Sequence, residues 1–440
     1  MWGRKGGHMK TGKWLQRKML TLMTILVLGI MAPVLAAENQ EALSLKQVVD
    51  TALQNNPTLL ESQKRWEGKK ASVSVATAWS NPKFGIMKDD ASSLFSPGSA
   101  MMTEYSLTQE IMNPSKLKSM GKMATSDGQM SEANYQDKRM EVYSEAKQYY
   151  YDLLYASKAL EIGKENQQLM GQLVQIAQVN YSTGMVSLQD TLKAQTEFSK
   201  MTTDLLDMAA MEALTKAKLN TTMNRSADAP LTVREEFSTS PPNFDLAGLK
   251  QQATTGKPSV ISMLRQVEMA QAGVELAKKQ KKLPDFEVGV AYKDRKQTEM
   301  NPEPSTWKIS AMAMLPIWQD KNNGQIKAAN ANLDAANASL TNMQNMTSLD
   351  IQMALTEAQT AYRKIDLYQT TIIPQAELTY QAGIVGYTNS KVDFMAVLDS
   401  LNALRNAKLG SYKARIDYEK AAANVEKAVG KPLFTSGAQP

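Results

Sequence analysis

The sequence predicts a mainly α-helical chain with a small β part of four strands, built on a duplicated helix-strand-strand-helix-helix unit. Three observations carry that expectation. The chain repeats itself after about 200 residues, its long segments carry heptad spacing, and four short segments alternate with one apolar face.

The N-terminus is read first. The first 37 residues hold Arg4, Lys5, Lys10, Lys13, Arg17 and Lys18 and no acid, followed from residue 19 by the apolar run MLTLMTILVLGIMAPVLAA. A basic start, an apolar middle and a small-residue end describe a secretory signal peptide over 1–37, cut after Ala36 or Ala37. Pro33 interrupts the run, which argues against a retained anchor. Without these residues Lys plus Arg falls from 50 to 44, equal to the 44 Asp plus Glu, so the mature chain is formally neutral. Nothing in its charge then favours nucleic acid. The single histidine, His8, leaves with the signal, and there is no cysteine. The mature chain has no thiolate or imidazole for a triad or a usual zinc site, no disulfide and no lipidated N-terminal cysteine. Neither cofactor, metal nor enzymatic activity is expected. No later segment has 18 consecutive apolar residues, so a membrane-inserted part is expected to be a β-barrel.

The repeat sets the domain plan. Pro57 pairs with Pro258, Pro82 with Pro284, Phe84 with Phe286, Tyr105 with Trp307 and Pro114 with Pro316. The phrase Tyr181-x-x-Gly184 returns as Tyr380-x-x-Gly383. The units are 38–223 and 246–433, joined by a linker over 224–245 rich in Pro, Ser and charge and followed by a tail over 434–440. A period this long means two copies of one structural unit rather than a solenoid.

In the first unit helices are expected over 44–79, 115–180 and 187–222; in the second, over 246–282, 320–380 and 392–429. Asn81-Pro82 and Leu283-Pro284 stop the first helix of each unit. Pro374 falls inside a helical pattern and should kink it or mark a join. Ile326, Ala329, Leu333, Ala336, Leu340 and Met343 form a coiled-coil seam that passes through a stutter at Thr347 and Ile351 to Leu355, Ala358, Tyr362 and Ile365. Tyr143, Ala146, Tyr150, Leu153 and Leu160 form a seam in the first unit. A helix of about 60 residues is ~90 Å long, the dimension of a duct or stalk.

The strands alternate. Tyr105, Leu107 and Ile111 share a face, as do Phe286, Val288, Val290 and Tyr292, and Trp307, Ile309, Ala311, Ala313 and Leu315. One apolar side means burial or lipid. Four strands cannot close a barrel, and open edges in lipid are forbidden, so transmembrane strands would have to be shared between chains; three chains supply twelve.

With these features the sequence resembles the TolC-like outer-membrane factor family over about residues 43–433. The resemblance rests on LSLKQVVDTALQNNP, the two Tyr-x-x-Gly phrases and the closing VLDSLNALRNAKLGSYKARIDYEKAAANVEKAVGKPL. It implies a homotrimer with a twelve-stranded β-barrel in outer-membrane lipid and a coiled-coil α-barrel in the periplasm. Its partners would be a periplasmic adaptor and an inner-membrane pump of the RND type, and its role that of a passive exit duct. The runner-up is a periplasmic coiled-coil adaptor or scaffold.

The resemblance also places candidate sites. Tyr181, Gly184, Tyr380 and Gly383 would lie at the tips where helices turn back and an adaptor docks, with the second tip about seven residues longer than the first. Asp190, Asp393 and Asp399 would lie near a narrow periplasmic gate, Asp399 forming a ring or pairing with Lys193 in a latch. Residues 101–124 are similar to the second-strand region of heavy-metal efflux members, with Ser115 where Pro-Gly-Lys-Leu would carry Gly. The 28 methionines read as packing residues of helical seams.

Overall fold

The computed structural model describes residues 42–89, 95, 100–237, 245–297, 304–389 and 391–433. The expected signal peptide over 1–37 and the expected tail over 434–440 lie outside them. The first unit comprises α1 (Leu45–Asn55), α2 (Pro57–Thr77), β1 (Lys83–Asp89), β2 (Met102–Ile111), α3 (Pro114–Ser182) and α4 (Leu188–Thr222). The second comprises α5 (Leu246–Gly256), α6 (Pro258–Lys282), β3 (Asp285–Arg295), β4 (Thr306–Met314), α7 (Gln319–Leu367), a π-helical turn (Tyr368–Ile372), α8 (Ile373–Thr388) and α9 (Phe394–Val429).

The duplication and both long helices stand, but the first helix of each unit is two helices. Asn56 and Lys257 are extended, as the residue before a proline prefers, and Pro57 and Pro258 each open a new helix. Asn56 caps its helix by accepting from Thr58 N–H at 3.0 Å, whereas Lys257 makes no such bond.

In the heptad seam of α7, Ile326, Ala329, Leu333, Ala336, Leu340, Met343 and Thr347 are the covered positions, with Thr347 and Ile351 fully buried. Past the stutter the seam runs through Ala358 and Ala361, leaving Tyr362 at the rim. Pro374 marks a join. Ile373 N–H donates to the Tyr368 carbonyl five residues back, a π bond just ahead of the proline that has no N–H to give. This turn accounts for a shift between the units. Pro114 and Gln319 open α3 and α7, and Ser182 and Thr388 close α3 and α8, so the second unit spends one more residue over the same course.

Near the sheet the helices lie side by side in the order α2, α3, α6, α7; toward the far end the order is α4, α3, α9, α8. The segment after α4 is packed onto this layer rather than running free. Leu43 and Val233 form a parallel bridge, Leu231 is buried, and Phe237 stacks edge-on against Tyr412 at 5.6 Å beneath the Arg415 guanidinium. The chain end is pinned at Gly430, whose left-handed φ of 84° and approach to Lys257 Cα (3.0 Å for an added Cβ) admit only glycine without strain.

Candidate functional site

Two surfaces carry the functional expectations: the sheet at one end and the helical turns at the other. The sheet is antiparallel in the order β1-β2-β3-β4, so the central β2–β3 pair joins the two repeats. Its register lines Ile86, Tyr105, Tyr292 and Trp307 in one row and Phe84, Leu107, Val290 and Ile309 in the next. That face is apolar and uncovered, with Ile309 86% and Trp307 72% exposed. The opposite face holds rows of small and polar residues: Gly85, Ser106, Ala291 and Lys308, then Lys83, Thr108, Gly289 and Ser310. It is crowded. A Cβ on Gly289 would meet Ser310 Oγ at 2.8 Å and Thr108 Cγ2 at 3.0 Å. A sheet apolar outside and small and polar inside is inverted relative to a soluble fold and matches a lipid-facing barrel wall. Among the described residues β1 and β4 each have one strand neighbour, leaving two open edges.

Lys116 clamps the sheet to the helices. Asp285 at the start of β3 accepts from Asn113 N–H at 3.0 Å and from Lys116 Nζ at 2.7 Å, with the Lys116 side chain 6% exposed. Ser115, where the heavy-metal pattern would carry glycine, sits in the first turn of α3 and donates its N–H to the Asn113 cap. Among the described residues no helix is long and apolar enough to cross a membrane, and no group of His, Cys, Asp and Glu could hold a metal ion.

At the far end the turn after α3 contains Gly184 at φ 74°, with Met185 N–H donating to the Asn180 carbonyl at 2.8 Å. The expected partner turn at Gly383 does not occur. Tyr380 and Gly383 lie inside α8, and a Cβ on Gly383 would sit 3.2 Å from Ser400 Oγ of α9. The chain turns one heptad later, where Lys391 N–H donates to the Gly386 carbonyl at 2.8 Å. The structural counterpart of Tyr181 is therefore Tyr387, just as the Asp393 cap of α9 answers the Ser187 cap of α4, and the second turn is no longer than the first. Packing explains the shift. Ile384 and Tyr387 continue the covered face of α8, and Tyr387, 1% exposed, sits edge-on to Phe394 at 5.9 Å. Glycine permits a turn but does not compel one; burying another two turns of helix outweighs the weak helix propensity of Gly383.

The two turns differ chemically. Around the first, Val179, Tyr181, Met185 and Leu188 are exposed. Around the second, Val385 is exposed while Tyr387 and Phe394 are buried. Burial raises the pKa of both the Tyr380 and Tyr387 hydroxyls, Asp190 adding to the rise at Tyr387, and neither hydroxyl finds a partner among the described residues.

The acidic candidates are separated by role. Asp393 is the N-cap of α9 and accepts from Ala396 N–H at 2.9 Å. Asp190 lies in the first turn of α4, beneath the Ser187 cap. Asp399 and Lys193 occupy equivalent, exposed positions in the second turn past each cap, and among the described residues no ion pair joins them.

The family model for the outer membrane efflux protein matches residues 48–224 and 249–431, one stretch for each repeat. The cobalt-zinc-cadmium resistance protein CzcC of Cupriavidus metallidurans is 20% identical over 404 residues, 91% of this chain and 93% of that protein. The CmeC outer membrane channel of Campylobacter jejuni superposes with a TM-score of 0.74 at 18% identity, over 88% of this chain and 85% of that one. CusC, whose structures concern folding and transmembrane channel formation, superposes with a TM-score of 0.74 at 15% identity, over 88% and 92%. With the family matched in both repeats, the chain belongs to the outer membrane efflux protein family and is an exit duct of the outer membrane.

Proposed function

We propose that this chain acts as a passive, non-enzymatic homotrimer, closed by three copies of the sheet and three copies of the helical layer, that receives cargo from a periplasmic adaptor and an inner-membrane pump. The observation that carries the reading is the inverted sheet with two open edges. Its apolar face suits lipid, and its unpaired edges require other strands there. Three copies give twelve strands, enough to close.

The adaptor docks on the turns, through the exposed Val179, Tyr181 and Met185 of the first and the neighbourhood of Asn389 and Lys391 in the second, rather than Tyr380 and Gly383. Asp399 stands near the entrance as three symmetry-related negative charges, which favour cations. Purified protein in planar bilayers tests this. Steady conductance with no added energy source, and a lower cation preference for Asp399→Asn, are expected. No conductance contradicts the duct, and an unchanged preference contradicts the ring.

A further inference from the structure

The expected mature chain is formally neutral, yet its charge is unevenly spread. Residues 111–126 and 276–284 hold seven lysines and no acid. The first stretch opens α3 and the second closes α6, so both lie at the base of the sheet. Four of the seven are engaged within the fold. Lys116 holds Asp285 at 2.7 Å, Lys279 donates to Ser119 Oγ of α3 at 2.8 Å, Lys281 donates to Asn323 Oδ1 of α7 at 2.8 Å and Lys122 reaches Glu275 at 3.4 Å. Lys118, Lys278 and Lys282 are exposed and have no partner among the described residues. Like charges gathered without a counter-charge repel one another.

The neighbouring helices fix the direction of these three. Lys279 turns to α3 and Lys281 to α7, on opposite flanks of α6. Lys278 and Lys282, four apart, share a free face of α6 with Glu275, as Lys118 shares a face of α3 with Lys122. Lys122 and Glu275 line a groove that reaches Gln129, and Gln129 lines the next groove with Val49 and Leu53 of α1. The lysines are therefore on the face that carries α1. That helix shares a core with α3, α4 and α9, so it lies across the layer rather than within it. In a duct only the outer face can hold such an extra layer without filling the lumen. The three lysines point away from the lumen.

Their level is that of lipid headgroups. Lys282 stands three residues before Asp285, the first of β3, and Lys118 lies four residues, about 6 Å, into α3. The apolar sheet face begins just beyond them at Phe286, and Trp79 and Trp318, 55% and 73% exposed, flank the sheet at the same end. The headgroup layer is about 5–8 Å deep on each side of the hydrocarbon. Ammonium groups within a turn or two of the apolar band fall in that layer, with aromatic rings at its boundary.

We propose that Lys118, Lys278 and Lys282 bind the phosphates of anionic phospholipid in the periplasmic leaflet and so fix the depth of the sheet. Charge complementarity selects the ligand. The surface is basic and adjoins lipid tails, so its counter-charge is a phosphate joined to a tail. A lysine near an anionic membrane surface strengthens binding roughly fivefold. The inference rests on the lipid-facing reading of the sheet and adds which lipid is preferred and where it sits.

Full-length protein in vesicles of phosphatidylglycerol and phosphatidylethanolamine in equal parts is extracted in mild detergent, and its retained lipid is identified by native mass spectrometry. The natural chain should retain phosphatidylglycerol in preference, and added salt should weaken that preference. Lys118→Gln with Lys278→Gln and Lys282→Gln should abolish it, whereas Lys118→Arg with Lys278→Arg and Lys282→Arg should keep it. Lys46→Gln with Lys164→Gln and Lys200→Gln, the same loss of charge at exposed positions remote from the sheet, should also keep it. A glutamine triple at 118, 278 and 282 that keeps the preference, or a natural chain that retains both lipids alike, overturns the lipid surface and leaves the duct standing. A natural chain that forms no trimer and enters no vesicle overturns both.

Discussion

Asn180 and Tyr387 belong to different hairpins, yet Asn180 Nδ2 donates to the Tyr387 carbonyl at 3.3 Å, both residues being buried. The bond sets the last turn of α3 level with the last turn of α8. It also makes Tyr387 the equivalent of Tyr181, one heptad beyond the Tyr380 that the repeated Tyr-x-x-Gly phrases indicate.

The glycines of the tips should therefore respond differently. Gly184→Val forces a β-branched residue into the left-handed region, where the cost is about 1–2 kcal/mol, and should lower cross-linking to the adaptor while trimers persist. Gly383→Ala stays helical and needs only a small movement of the Ser400 hydroxyl, so cross-linking should hold. Equal losses from both would contradict the heptad shift.

Lys147 and Glu426 form an ion pair with 6% and 0% of their side chains exposed, and Glu426 also accepts from Leu433 N–H at 2.9 Å. Removing one partner strands a buried charge, at a cost of roughly 3–5 kcal/mol. Glu426→Leu should lower thermal stability sharply, and adding Lys147→Met should restore most of it. A double variant as unstable as the single would mean that packing, not charge, dominates the site.

Asp137 has its pKa raised, first by burial and then by Glu141, against the opposing influence of Lys257 and Lys427. A carboxyl whose folded pKa lies above its unfolded one favours the folded state when protonated. Its contribution is complete below the ordinary carboxylate value of about 4 and is lost as pH rises through the raised value. Asp137→Asn should thus gain thermal stability relative to the natural chain as pH goes from 4 to 7. The opposite slope would show that the lysines outweigh burial.

Tyr368 of the π turn lies over Gly410 of α9, where an added Cβ would sit 2.5 Å from its hydroxyl oxygen. Gly410→Ala should cost about 1–3 kcal/mol through overpacking, read as a lower unfolding midpoint. Tyr368→Leu in the same chain should recover much of that loss. An unshifted midpoint for Gly410→Ala would mean the ring moves aside freely.

Much of this was legible because the signals are periodic. The strand faces follow from alternation, and the seam from Ile326 to Thr347 follows from heptads. What escaped depended on tertiary packing. Asn56-Pro57 and Lys257-Pro258 break helices whose apolar pattern runs on, and the second turn is set by the burial of Tyr387 and Phe394 rather than by the glycine at 383. The π turn is one inserted residue beside Pro374, and no local pattern marks that insertion.

The central claim is that the open sheet is completed by other copies in the outer membrane. The most direct measurement is the mass of the particle extracted gently from isolated outer membranes, by light scattering corrected for detergent. The account predicts a protein mass of three mature chains, with the mature N-terminus near Ala37 or Glu38. A single chain recovered from the soluble periplasmic fraction would contradict it.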